Sequence, residues 1–304
     1  MLAAFLTTLL FSISGVSASR STRILPSLEA NFWRLLLATL FLATYGHGWG
    51  AGLGGVALGW FLISGFIGFG VGDIALYLAY PRLGSRLVIL IVHCVAAPLA
   101  AGVEWICLGL PMTGTEVVAS GLILSGVVTA LFPERGLERE AKARSGFGAG
   151  VGYALVAAAG QGLGAVLSRH AFEVARMAGE PVDGISAAYQ RILPGVALSA
   201  LTYIWLRRWG RGGVPGDAGA SGRLRKAAPW VLVNALAGPT LGVSCFQWAL
   251  AQRGTGVVLP IVALTPLIII PFAMRWEGER PSRRSLFGGV LAVAGAVIHA
   301  ATHS

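Results

Sequence analysis

Three ionisable side chains interrupt stretches of sequence that are otherwise apolar, namely Asp73, His93 and Glu104. A polar side chain inside a membrane is costly, so one in the middle of a membrane-spanning helix is a candidate for function. Asp73 follows a run of glycines, and Tyr77 and Tyr80 lie four and seven residues further on, on the same helical face. Carboxyl and imidazole groups exchange protons readily. We therefore predict Asp73, His93 and Glu104 as proton-coupling residues.

Uncharged polar residues supply a second set of candidates. Gln161 lies on one helical face with small residues, and Gln247 is next to Trp248. An amide beside an aromatic ring suits a small zwitterionic or aromatic solute. The predicted cargo contacts are Ser14, Tyr77, His93, Tyr153, Gln161, Gln247, Trp248 and Thr265.

Each of these residues also has a structural interpretation. Asp73 would bond free amides of a loosened glycine-rich helix, while His93 would bond a carbonyl and Glu104 would lie at the membrane interface. The two glutamines would bond neighbouring helices, and the hydroxyls would bond their own backbone.

The motifs of soluble enzymes are missing from the sequence. It contains no phosphate-binding GxxxxGK[ST], no HExxH and no GxSxG, and its three cysteines lack metal-ligand spacing. We therefore expect no cofactor, no metal and no enzymatic activity.

The composition describes a membrane protein. Of 304 residues, 55% are hydrophobic and 12% are charged, with a mean hydropathy of +0.73. This excludes an ordinary soluble domain, which is about a quarter charged. A span needs roughly 20 apolar residues, and the sequence predicts ten spans, near 2–19, 29–45, 54–79, 85–108, 115–132, 147–169, 185–206, 229–250, 255–275 and 285–301. The first stretch ends in a small-x-small pattern at Val16–Ala18 but lacks a basic leader, so we expect it to be retained.

An internal repeat divides the chain. Three short segments of the first half recur, without gaps, in the second half. The aligned pairs are Gly68–Ser85 with Gly238–Thr255, Ala30–Arg34 with Ala187–Arg191, and Gly15–Arg20 with Gly164–Arg169. We predict a five-helix repeat at 1–132, a polar connecting loop at 133–146 and a second five-helix repeat at 147–304. Because five is odd, the second repeat must be inverted in the membrane, as in many secondary transporters. The predicted fold is all-α with ten transmembrane helices.

Basic residues are distributed unevenly between the two sides. The connections after the odd-numbered spans carry 19 of the 23 Lys and Arg residues, with Arg34 counted among them; the other side carries Arg191 and three further arginines. The positive-inside rule then places both termini outside the cytoplasm. In this assignment no basic cluster lies inside a span, which disfavours phosphates and dicarboxylates as cargo.

Glycines and prolines recur at positions suited to close packing or hinge motion. Small residues four apart let helix backbones approach closely, and helix-breaking residues let one half rock against the other. The candidates are Gly68, Gly72, Pro98, Gly160, Gly164, Gly238, Gly242 and Pro266.

These features resemble the ten-span EamA-like branch of the drug/metabolite transporter superfamily. In each half a glycine-rich span runs through Ala-x-x-x-x-Gly-Ser/Thr into a span with a central proline and then a glycine-studded last span. The matching residues are Gly72, Ala79, Gly84-Ser85, Pro98 and Gly121–Gly126, then Gly242, Ala249, Gly254-Thr255, Pro266, Gly278-Glu279-Arg280 and Gly288–Gly295. The resemblance covers nearly the whole chain. Two departures are Gly109-Leu110-Pro111, where the family often has Gly-Glu-Arg, and the charge bias, since many relatives have cytoplasmic termini.

The resemblance and the residues together predict a secondary transporter. It would export or exchange small organic metabolites, such as amino acids or related compounds, by alternating access through a cavity between the repeats. Its expected partners are this cargo, protons and the lipid bilayer, without nucleic acid, and it would lie in a bacterial cytoplasmic membrane as a monomer or homodimer. The alternatives are a flippase for lipids or lipid-linked sugars, and a membrane-embedded lipid-modifying enzyme with several titratable groups converging at one site.

Overall fold

The computed structural model describes residues 2–108, 113–131, 146–209, 220–278 and 281–301, and every regular element within these ranges is a helix. Up to residue 131 the elements are α1 (Leu2–Thr22), α2 (Ser27–Gly48), α3 (Leu58–Gly65), the π-helical segment π1 (Phe66–Gly72), α4 (Asp73–Leu108) and α5 (Gly114–Leu131). From residue 147 they are α6 (Phe147–Met177), α7 (Gly184–Trp209), α8 (Ala220–Ala235), the segment π2 (Leu236–Thr240), α9 (Leu241–Gln252), α10 (Thr255–Val262), α11 (Thr265–Glu277) and α12 (Arg283–Ala301). The predicted connecting loop at 133–146 lies outside the described residues except for Gly146.

Five helical runs are long and apolar enough to cross a membrane, namely Leu2–Thr22, Leu58–Val103, Phe147–Met177, Ser221–Gln252 and Thr255–Glu277. The surface agrees with this, since large apolar side chains such as Leu40, Val128, Leu201 and Val290 are exposed. So much exposed apolar surface is typical of a protein that lipid covers. The chain is a multi-pass integral membrane protein.

The long helical run from α3 to α4 bends at Gly84. This glycine has φ +77°, a left-handed conformation that residues with a side chain rarely adopt. The bend falls between the predicted spans 54–79 and 85–108. At the corresponding place in the second part of the chain, α9 ends at Gln252 and α10 begins at Thr255.

At two helix crossings glycines from both helices face each other. A Cβ atom on Gly160 of α6 would lie 2.9 Å from the Cα atom of Gly72 in π1. Likewise, a Cβ atom on Gly126 of α5 would lie 2.6 Å from the carbonyl oxygen of Gly288 in α12. No side chain fits at these crossings, so the helices are held at backbone contact distance, as in other membrane helix pairs with small interface residues.

Candidate functional site

A cavity of about 630 Å³ of atom-free space, part of it open to solvent, lies among helices from both parts of the chain. Its polar lining consists of Ser14, Arg34, Asp73, Tyr80, His93, Gln161 and Arg191. The rest of its lining is mostly apolar and includes Phe11, Phe69, Leu76, Ile89, Val92, Val243 and Phe246. The structure therefore brings together four of the predicted polar site residues, which are Ser14, Asp73, His93 and Gln161.

Asp73 forms a buried ion pair with Arg34. The Arg34 Nη2 atom donates a hydrogen bond to the Asp73 carboxylate, and its Nε atom donates to Asn31 Oδ1 at 3.1 Å. The guanidinium also lies over the ring of Tyr77, 4.8 Å from its centroid. Among the described residues, the Asp73 carboxylate is bound to an arginine and accepts no hydrogen bond from a backbone amide. This pairing stabilises the charged carboxylate, and proton coupling by Asp73 stays a prediction.

The assignment of Arg34 to a connection is wrong. Arg34 lies about two turns inside α2, and only 5% of its surface is exposed. A buried arginine of this kind needs a compensating partner, and Asp73 on the neighbouring helix supplies it. Sequence patterning treats every arginine near a predicted boundary as a topology marker and misses such pairs.

Arg191, which aligns with Arg34 in the sequence, also lines the cavity. Its Nε atom donates to Ser64 Oγ at 2.9 Å, and its guanidinium lies over Phe69. Within the described ranges no carboxylate lies within 4 Å of Arg191. The expectation that no basic cluster lies inside the helices is therefore wrong, because two buried arginines face one cavity.

Two further groups offer polar atoms without partners. His93 stacks on Phe11 with ring centroids 5.4 Å apart, and its Nδ1 atom has no hydrogen-bond partner among the described residues. The Nε2 atom of Gln161 is also buried without one. Orphaned buried polar atoms are costly, so they are natural sites for hydrogen bonds to a solute or to ordered water.

Behind the cavity wall, a short chain of hydrogen bonds joins three helices. Ser14 Oγ donates to Asn234 Oδ1 at 2.9 Å, and Asn234 Nδ2 donates to the Tyr77 hydroxyl at 2.6 Å. Tyr77 is fully buried and does not line the cavity. Its role in the structure is to support Arg34 and Asn234, and sequence spacing alone did not reveal this network.

The remaining cargo candidates lie away from the cavity. The Tyr153 ring packs under Arg82, and Trp248 is nearly half exposed. The Thr265 hydroxyl, at the start of α11, donates to the carbonyl of Val262 at the end of α10 at 2.5 Å. Gln247 is fully buried, and neither of its side-chain polar atoms has a partner among the described residues. The Glu104 side chain lies outside the described part of the structure.

The six predicted glycines all lie at helix contacts. Gly68 and Gly72 face α6 at Gly164 and Gly160, whereas a Cβ atom on Gly242 would lie 2.9 Å from the Phe11 ring. A Cβ atom on Gly238 would lie 2.5 Å from Ser14 Oγ. These contacts fit the packing interpretation, and the hinge role stays a prediction. Pro98 lies inside α4, and Pro266 is the second residue of α11.

A polar cluster that sequence reasoning missed lies at the end of α11. Glu277, whose side chain is fully buried, accepts hydrogen bonds from Ser19 of α1 and Ser85 of α4. Arg23 adds an ion pair at 3.2 Å. A carboxylate at a helix end gives little signal in sequence, but here it joins the first and second parts of the chain.

Taken together, the fold and the cavity describe a helical membrane protein with a cavity among its helices. The chain belongs to the EamA-like transporter family, whose pattern matches residues 148–300, about half of the chain. Members of this family are generally not enzymes, in agreement with the missing catalytic motifs.

One similar solved structure is described as "Crystal structure of protein". The match covers 99% of this chain and 96% of that chain, at 17% sequence identity and a TM-score of 0.63. At that identity the likeness shows the fold alone. No curated protein matches the chain significantly.

Proposed function

We propose that this chain is a secondary transporter that exports or exchanges small organic metabolites, such as amino acids or related compounds. The cavity is its binding site, reached from alternate sides of the membrane as two five-helix repeats rock against each other. The observation that carries the proposal is the lining of the cavity, because both parts of the chain contribute charged and polar groups to it. Transporter sites commonly lie at such a repeat interface.

Three pairs of features support the inverted repeat. The segments π1 and π2 fall at aligned positions, 170 residues apart at Phe66 and Leu236. Arg34 and Arg191 occupy aligned positions and face the same cavity. The glycine-rich segment of each repeat also packs on the first helix of the other repeat. The segment π1 packs on α6, whereas π2 and the start of α9 pack on α1.

We further propose that the connections after the odd-numbered spans lie in the cytoplasm. With the two buried arginines removed from the count, these connections carry 18 of the remaining 21 basic residues. The correction strengthens the charge asymmetry, which under the positive-inside rule favours termini outside.

The test is an efflux measurement with the purified full chain in liposomes. The liposomes are loaded with a metabolite extract of bacterial cells, and each compound inside is followed by mass spectrometry. We expect one class of small metabolites to leave faster than from protein-free liposomes, because the cavity gives it a polar route across the bilayer. Equal loss from both preparations would contradict transport, and accelerated movement of lipid between leaflets would favour the flippase alternative.

A further inference from the structure

We propose that Arg191 binds an anionic group of the cargo, so that the cargo is a small organic anion or zwitterion with an apolar body. This inference rests on the proposed transport function and adds the chemical class of the substrate. It starts from the charges of the cavity, which are those of Arg34, Asp73 and Arg191. Asp73 is bound to Arg34. Among the described residues Arg191 has no ion-pair partner of its own, although Asp73 also attracts it. The three charges therefore leave a net positive charge in the cavity, and a buried net charge is costly.

The repeat explains why Arg191 differs from Arg34. Asp73 aligns with Val243 in the second repeat, so the carboxylate that pairs with Arg34 is replaced by an apolar side chain. Both Asp73 and Val243 line the cavity. The two arginines therefore occupy aligned positions, but among the described residues Asp73 forms an ion pair only with Arg34. A bound anion would supply the missing charge.

The surroundings of Arg191 fix its guanidinium in place. A Cβ atom on Gly68 or on Gly164 would lie 3.0 Å from the Nη2 atom, so the two adjoining helices approach the guanidinium closely. Ser64 accepts the Nε–H at 2.9 Å, and Phe69 lies beneath the guanidinium plane. Among the described residues the Nη atoms have no acceptor. A fixed guanidinium with free N–H groups suits the two oxygens of a carboxylate or the oxygens of a phosphate.

The rest of the lining indicates what the anionic group is attached to. Phe11, Phe246 and Val243 form an apolar wall, and Phe11 also stacks on His93. Such a surface favours a hydrocarbon or aromatic body. His93 Nδ1 and Gln161 Nε2, both without partners, are placed to bond a second polar group of the same solute.

The experiment uses the full chain in liposomes loaded with a defined mixture. Twenty amino acids, lactate, succinate and glycerol 3-phosphate provide carboxylates and a phosphate, and amino acid amides and putrescine lack any anionic group. We expect compounds with an anionic group to leave and the amides and putrescine to stay. Faster efflux of carboxylates or of the phosphate shows which of these two anionic groups Arg191 binds.

Four variants assign the effect to Arg191. Arg191→Gln should lower anion efflux by about tenfold or more, since a hydrogen-bonded charge is lost. Arg191→Lys should retain part of it, because lysine keeps the charge without the planar fork. Val243→Asp should lower anion efflux as well, because the new carboxylate neutralises the net positive charge of the cavity although Arg191 is still present. The exposed Arg176→Gln is the matched control and should behave as wild type.

The outcomes separate this inference from the function on which it rests. Release of only amides or putrescine, or unchanged anion efflux in folded Arg191→Gln protein, would overturn the role of Arg191 and leave transport intact. No release of any compound by the wild type would overturn both. Melting curves of each purified variant show that it is folded, and Val243→Asp tests the charge even where Arg191→Gln fails to fold.

Discussion

Replacing Asp73 by Asn is expected to destabilise the folded protein strongly and to reduce transport. The substitution keeps the size of the side chain and one acceptor oxygen but removes its charge, which leaves Arg34 buried at 5% exposure without a counter-ion. Removing one partner of a buried ion pair costs about 3–5 kcal/mol. The measurement is the melting temperature of detergent-purified protein, together with the yield of folded protein.

The control for this prediction is the double variant Arg34→Gln with Asp73→Asn. It places two neutral amides next to each other, so no unpaired charge is left by the substitution. We expect it to recover more than half of the lost stability, which a double-mutant cycle quantifies. Equal stability of Asp73→Asn and the wild type would show that the ion pair contributes nothing.

Replacing Glu277 by Ala is the second change with a large expected effect. The buried Glu277 carboxylate accepts hydrogen bonds from Ser19 and Ser85 and pairs with Arg23. Alanine leaves two buried hydroxyls without acceptors, and each unsatisfied group costs about 1–3 kcal/mol. Because these partners lie on α1 and α4, we expect the loss to loosen the contact of α11 with these two helices and to lower the melting temperature.

Glu173→Ala is the matched control for Glu277→Ala. Glu173 also pairs with an arginine, Arg169, but its side chain is 40% exposed and the two residues lie one turn apart on α6. Exposed pairs of this kind are worth about 0.3–0.5 kcal/mol. A Glu277→Ala protein as stable as Glu173→Ala would show that the cluster does not hold the helices together.

The sequence predicted the helical membrane fold and the family well, because both depend on features that repeat. These features can be recognised without knowing any side-chain contact. They are apolar runs of span length, glycines four residues apart and two sets of recurring motifs. The break at Gly84 could be placed for the same reason, since glycine before a hydroxyl residue marks a change of direction in both halves.

The candidate site was predicted only in part, because it depends on which helices become neighbours. Asp73, His93, Gln161 and Ser14 were found from their unusual position in apolar stretches, and all four line the cavity. Arg34 and Arg191 were missed because a basic residue near the predicted end of a span is normally interpreted as a marker of membrane orientation. Trp248 and Thr265 were wrongly expected to face the cavity, because the sequence shows which residues share a helical face but not what that face packs against.

The measurement that tests the account most directly is efflux through a blocked cavity. Val243 lines the cavity and is 8% exposed, whereas Val233 on α8 is 40% exposed at the outer surface. Liposomes loaded with the bacterial metabolite extract are prepared with Val243→Trp or with Val233→Trp. The account predicts that the compounds released by the wild type stay inside with folded Val243→Trp and leave normally with Val233→Trp. Normal release by both variants would show that the cargo crosses the membrane by another route.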